Sequence, residues 1–282
     1  LQSILFVLAV GLAWGIRYGV KFWQGQLSWG AALTVFALPP LILISTSWAI
    51  VFMGCGQMFG VPASMGSHLL GWLFLLWTMV CFGVLAWQTF KTVQAVQIHP
   101  QTIYQEQPIR LLDSEFPYSA QIGLWSPQLV VSQGLFNLLP PTHVAAVLAH
   151  ENAHVFYRDT VTFFVLGSLR RLTFWLPQTE ALWQELLWQR ECRADRKAAE
   201  TCDPLVLAEA LALVAQMAMN QDPLPSFAVP FHTQGDRVLA RIDQLLDLPT
   251  QVTSIPLTNY LTSFGFLAIA FLPLLFIPLH IK

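Results

Sequence analysis

The chain has 282 residues, of which 55% are apolar and only 11% charged, against roughly 25% charged in ordinary soluble domains. That composition excludes a simple water-soluble globule and points to a membrane protein. A formal net charge of -2 with no block rich in lysine or arginine lacks the clustered basic face that nucleic acids require, so no nucleic-acid partner is expected.

Taken in chain order, the first elements are apolar runs long enough to cross a bilayer, which takes roughly 20 residues of helix. They are Leu1 to about Val20, Leu27 to about Met53 and Leu69 to about Phe90, and Tyr260 to about Ile281 forms a fourth near the other end. Pro39 and Pro40 are expected to kink the second, because each removes a backbone donor and crowds the preceding turn. The first run has neither a basic lead nor a small-residue cleavage site, so it reads as a retained span rather than a signal peptide. The four cysteines show no paired spacing and are read as free thiols of a reducing compartment.

Between the third and fourth spans, Lys91 to about Thr258 holds most of the charge. It opens with alternating stretches of strand character, Val93 to Ile98, Ile109 to Asp113, Tyr118 to Trp125 and Pro127 to Ser132. After Pro140 and Pro141 the hydrophobic period changes from two to about 3.6, which predicts a helix from Pro141 or Thr142. Further helices are expected over Thr160 to Leu176, Thr179 to about Glu200, Pro204 to Met219 and Asp236 to Leu246. The Thr160 helix is apolar, yet Arg170 and Arg171 in its middle would be costly at mid-bilayer. The expected layout is three spans in residues 1–90, a separate domain carrying most of the charge in 91–258 and a fourth span in 259–282. The fold class is α+β, mainly α, with four transmembrane helices and a small sheet.

The chemistry is concentrated in "LAHENAHVFYRD", Leu148 to Asp159. Residues i and i+4 of a helix share a face, so His150 and His154 can present two imidazole nitrogens to one zinc ion. Glu151, beside the first histidine, is then placed to move a proton between an attacking water and a leaving amine. A catalytic zinc needs a third protein ligand, and "QRECRADRKAAE", Gln189 to Glu200, offers Glu191 with Asp195 one turn further on. Glu191 is a candidate third ligand, and Asp195 a candidate acceptor for the other ring N–H of a metal histidine. The competing reading of this second stretch is a solvated helix with glutamate–arginine pairs, since Arg190, Arg193, Arg196 and Lys197 lie close by.

Together, the two stretches resemble the integral-membrane gluzincins. The HtpX and CAAX-prenyl-protease family (family 48) carries HExxH followed by ExxAD, matched by His150, Glu151, His154, Glu191, Ala194 and Asp195. The BlaR/MecR-type sensor-transducers (family 56) carry an Asp five residues after the second histidine, matched by Asp159, and show a similar order of spans. Where they have a cysteine before the last Asp, this chain has Ala194. The sequence ends at Lys282 without the penicillin-binding domain of the sensors, so β-lactam sensing is not expected. An intramembrane protease of the site-2 type is rejected, because the motif helix is too polar and no later Asp-Gly helix follows.

The resemblance implies a zincin-like (gluzincin) domain holding one Zn2+ per chain through His150, His154 and Glu191. Glu151 would be the catalytic base, and Asp195 and Asp159 would orient the ligands. His232 sits where relatives of the HtpX type carry a histidine before an Arg-Ile pair, here Arg241 and Ile242, and is a candidate oxyanion stabiliser beside Arg237. The expected partners are the lipid bilayer and a protein or peptide substrate, including a regulatory or repressor protein. The loop between the first two spans is read as containing Arg17 and Lys21, residues 54–68 contain no Lys or Arg, and Lys91 follows the third span, which puts the protease domain on the cytoplasmic side by the positive-inside rule. The competing function is a membrane signalling or scaffold protein with a structural or degenerate zinc site, against which Glu151 stands.

Overall fold

A computed structural model describes residues 2–22, 27–54, 57–58, 61–62, 65–219, 232–247 and 268–279. The fold is mainly helical with one small mixed sheet, and the chain divides into two compact units. One comprises Leu1–Ala86, Val165–Leu187 and Thr253–Lys282, and the other Trp87–Phe164 and Trp188–Val252.

The first unit contains α1 (Gln2–Gly19), α2 (Trp29–Met53) and most of α3 (Met65–Gln97), three helices long and apolar enough to cross a membrane. Leu69, Leu70, Trp72, Leu73, Leu76 and Trp77 on α3 are all exposed, a continuous apolar surface of the kind that lipid, not water, covers. A two-residue hairpin, β1 (Gln57–Met58) with β2 (Val61–Pro62), joins α2 to α3. Ala9, Ala13, Ile42, Leu43, Leu176 and Ala270 form the unit's core. Ser28 caps α2 by accepting from Ala31 N, and the helix is continuous through the buried Pro39 and Pro40.

Arg17 lies in the last turn of α1 rather than in a loop, fully buried. Its Nη2 donates to the Phe36 carbonyl at 2.9 Å, and its guanidinium lies over the Phe36 ring. The apolar stem and planar head of arginine suit such a position, which a loop assignment from charge alone overlooks. At the other end of the helices the Gln2 amide donates to the Gly54 carbonyl and accepts from Ser67 Oγ. Arg170 and Arg171 fall in the last turn of α6 (Asp159–Leu172), where Arg170 pairs with Glu180 at 2.6 Å and stacks on Trp183. The fourth expected span falls largely outside the described residues, whose last element is a 3-10 turn, Leu272–Leu279.

In the second unit the sheet has the order β3-β4-β6-β5: β3 (Gln101–Tyr104), β4 (Gln107–Leu112), β5 (Ser119–Ile122) and β6 (Gln128–Ser132). The pairs β3/β4 and β5/β6 are antiparallel and β4/β6 is parallel, so β3 and β5 are the two edges. The strand expected at Val93 to Ile98 is instead the end of α3. Extending an existing helix adds one hydrogen bond per residue fixed, and no proline intervenes before Pro100. The β3–β4 turn uses Gln105 and Glu106, both at positive φ, without the Asn-Gly or Asp-Gly pair that marks such turns in a sequence.

From β6 the chain enters α4 (Gln133–Leu138), where Ser132 Oγ accepts from Leu135 N and from Tyr118 N. Gly134 is required there, because a Cβ would stand 2.0 Å from the Glu115 carbonyl oxygen. Next comes α5 (Pro141–Phe156), begun by a proline at its first position, where the missing N–H leaves nothing unsatisfied. Its inner face buries Val144, Val147 and Leu148 against Ile109, Leu129 and Val131 of the sheet. The helices α7 (Thr179–Ala198), α8 (Pro204–Met219) and α9 (His232–Leu246) complete the chain's helical set among the described residues. Ala146, Ala198, Leu207, Ala208 and Leu245 form a second core cluster of this unit.

Candidate metal centre

The site is built on α5 and on the part of α7 that belongs to the second unit. One helical turn separates His150 from His154, and their Nε2 atoms lie 3.2 Å apart. Glu191 on α7 brings Oε2 to 3.4 Å from His150 Nε2 and Oε1 to 3.9 Å from His154 Nε2. His150 is buried, and His154 and Glu191 are half-buried.

These separations suit one small cation. Ligand atoms about 2.0–2.1 Å from a tetrahedral zinc stand about 3.3 Å from one another, close to the observed spacing of the two imidazole nitrogens. The tautomer of His154 agrees as well. His154 Nδ1 is hydrogen-bonded to Asp159 Oδ2 at 2.8 Å, and His150 Nδ1 stands 2.8 Å from Asp195 Oδ1. An ionised carboxylate only accepts, so His154 donates from Nδ1 and its Nε2 is left for the centre, while His150 Nδ1 lies beside Asp195 without an aligned hydrogen bond.

Arginines stand behind the carboxylates. Arg193 Nη2 donates to Asp159 Oδ1 at 2.5 Å, with its guanidinium over the Tyr157 ring. Arg241, from α9, grips Asp195 with two bonds, Nε to Oδ2 at 2.6 Å and Nη2 to Oδ1 at 2.7 Å, and places Nη1 3.4 Å from Glu191 Oε2. Arg190 donates twice to Glu191 Oε1, at 2.8 and 2.6 Å, and lies over the Phe163 ring. The glutamate–arginine pairs thus exist, but they are part of the site rather than a solvated helix face.

The electrostatics follow from this shell. Burial opposes the charge on His150, yet its contacts with Asp195 and Glu191 outweigh burial and push its pKa up to about 9. A divalent cation bound here takes the place of that proton. Burial also opposes ionisation of Glu191, but His150, Arg190 and Arg241 hold its carboxyl well below the usual range. Asp195 is likewise lowered against its burial, chiefly by Arg241 and His150. The centre is therefore a preformed set of imidazoles and carboxylates backed by arginines, a donor set that fits Zn2+.

Glu151 is only 7% exposed and accepts a hydrogen bond from Ser119 Oγ to Oε1 at 2.8 Å. Ser119 opens β5, the edge strand beside α5. Sequence reasoning missed this residue, since a serine in an alternating strand carries no motif. The structure thus brings together His150, Glu151, His154, Asp159, Glu191 and Asp195. His232 is the first residue of α9, but its side chain lies outside the described residues. Arg237 is half-buried on the same helix.

The HExxH-spaced His/His/Glu set is typical of gluzincin metalloproteases. Residues 111–224 match the model of Peptidase family M48. The match runs from within β4 to just past α8 and contains the whole HExxH…E set, together with Asp159 and Asp195. This metallopeptidase domain accordingly holds a His150-Glu151-x-x-His154…Glu191 gluzincin metal-binding site. Arg241 and His232 lie beyond the matched stretch.

Proposed function

We propose that the protein is a membrane-embedded zinc-dependent endopeptidase that hydrolyses peptide bonds of protein substrates. The observation that carries this reading is the convergence of His150 Nε2, His154 Nε2 and a Glu191 carboxylate oxygen beside Glu151, inside a stretch that matches the M48 peptidases. A scaffold protein with structural zinc has no need of Glu151 there. Zinc held by the two histidines and Glu191 supplies Lewis-acid polarisation of the scissile carbonyl and lowers the pKa of water toward neutrality.

The chain's own residues perform the remaining steps. Glu151 accepts the proton of the attacking water and delivers it to the leaving amine. Ser119 holds the Glu151 carboxylate by one oxygen, leaving the other for the water. Asp159 fixes the His154 tautomer, Asp195 is the proposed acceptor for the His150 ring N–H, and His232 is the proposed stabiliser of the developing oxyanion, with Arg237 as the alternative. Among the described residues no strand pairs with the outer edge of β5. A substrate segment added there in extended form would pass Glu151 at the position of Ser119.

The proposed layout has three spans in residues 1–90, the protease domain in 91–258 and a fourth span in 259–282. The match of residues 111–224 supports a domain of the M48 type, and Ala194, where the BlaR/MecR type carries a cysteine, accords with it. The Asp159–His154 hydrogen bond and the order of spans are features similar to the BlaR/MecR type. With Arg17 buried in α1, the cytoplasmic placement rests on Lys21 and Lys91. It also accords with the free thiols of Cys81, Cys192 and Cys202. Substrates of this reading are membrane-associated or regulatory proteins.

The test is cleavage of casein, or of the protein itself, by detergent-purified wild type and Glu151→Ala. Cleavage that requires zinc, stops with a chelator and is lost in the variant supports the reading. Cleavage that persists in Glu151→Ala refutes it.

A further inference from the structure

Arg241, 41 residues beyond the second motif's Glu200, reaches the metal centre from α9. Its side chain is only 12% exposed, and it faces two acids at once. Two of its nitrogens hold Asp195, whose Oδ1 lies 2.8 Å from His150 Nδ1, and the third faces Glu191, the proposed third ligand. One guanidinium therefore stands behind two of the three metal-binding side chains. The helix that carries it is seated by Leu245 and the half-buried Ile242, which pack with Ala146 of the zinc helix and with Ala198, Leu207 and Ala208.

We infer that Arg241 is a positioning residue that locks the ligand set, so that zinc affinity and the seating of α9 form one coupled equilibrium. This rests on the zinc-peptidase reading above. The physical reason is the fork of arginine: a planar guanidinium fixes both carboxylate oxygens in one plane, whereas a point charge leaves the carboxylate free to turn. Without it Asp195 loses its orientation beside His150 Nδ1, and Glu191 loses one of its two arginine contacts. Coupling is reciprocal by necessity. If seating α9 tightens zinc, zinc must tighten the seating of α9 by the same factor.

The experiment uses the full chain in detergent. Zinc affinity is measured by chelator competition for wild type, Arg241→Met, Arg241→Lys, Asp195→Asn and the Arg241→Met/Asp195→Asn double variant. Hydrogen exchange of residues 232–246 is followed with and without zinc, and circular dichroism verifies that each variant is folded. Outer-sphere partners of metal ligands are worth roughly 10–100-fold in affinity, so Arg241→Met should weaken zinc about tenfold or more, and Arg241→Lys less. Loss in the double variant should fall short of the product of the single losses, because Arg241 acts partly through Asp195. Zinc should slow exchange in α9 of the wild type and leave it unchanged in Arg241→Met.

Wild-type protein that binds one zinc while Arg241→Met and Arg241→Lys bind it equally well overturns the inference and leaves the peptidase reading standing. Multiplicative losses, or a zinc-insensitive α9 in the wild type, also overturn it. Wild-type protein that binds no zinc overturns the inference together with the reading on which it rests.

Discussion

Replacing Asp159 with asparagine keeps the side chain's shape and removes its charge. In the native site Oδ2 accepts from His154 Nδ1 at 2.8 Å and Oδ1 accepts from Arg193 Nη2 at 2.5 Å, in a residue only 3% exposed. An asparagine has a single acceptor oxygen and an NH2 group. Turned with the oxygen to His154, it points N–H groups at the Arg193 guanidinium. Turned the other way, it donates to His154 Nδ1, which moves the imidazole proton to Nε2 and blocks the metal position. Each arrangement loses one charge-assisted hydrogen bond, worth roughly 1.5–3 kcal/mol. Since about 1.4 kcal/mol is tenfold in an equilibrium constant, zinc affinity should fall by roughly 10–100-fold, the range known for such partners. Competition against a chelator of known affinity measures the change. An unaltered zinc dissociation constant in a folded Asp159→Asn protein would refute the reasoning.

Other consequences can be measured in the same preparations. Glu151→Gln should keep about one zinc per chain while proteolysis falls by roughly 10²–10⁴-fold, and an equal loss of metal would contradict a proton-transfer role. Ser119→Ala should lower kcat by about tenfold with zinc content unchanged, as one hydrogen bond to a charged acceptor is removed; wild-type turnover would exclude Ser119 from positioning Glu151. Zinc at 1,000 times its dissociation constant should stabilise the folded domain by about 4 kcal/mol, seen as a rise in Tm that a chelator reverses. Gly134→Ala should destabilise the domain, since its Cβ would meet the Glu115 carbonyl at 2.0 Å, and a Tm equal to wild type would show that the β6–α4 junction can shift.

The metal ligands were legible in the sequence because their geometry is local. Four-residue spacing on a helix places His150 beside His154 and Glu191 beside Asp195 whatever surrounds them, so only the meeting of the two helices remained to be found. The long apolar helices were equally legible, since length and hydropathy decide them. Asp159 and Asp195, close in sequence to the ligands, were legible too, but the residues that hold Glu151 and these carboxylates were not. Ser119 lies 32 positions from Glu151 and Arg241 46 from Asp195, and no periodicity connects residues across such distances. Arg193 had an ordinary alternative as a surface partner of neighbouring glutamates, yet it turns to Asp159 across the site. The misread strand at Val93 to Ile98 has the opposite cause: β-branched residues favour a strand locally, while continuation of α3 decides the outcome.

Elemental analysis of zinc in detergent-purified protein, wild type against Glu191→Ala, tests the metal centre itself. About one zinc per chain is expected in the wild type and a clear loss in the variant, because Glu191 is the only carboxylate in the set of three ligands. Wild-type protein without zinc, or a Glu191→Ala variant that retains it undiminished, would contradict the His150–His154–Glu191 centre.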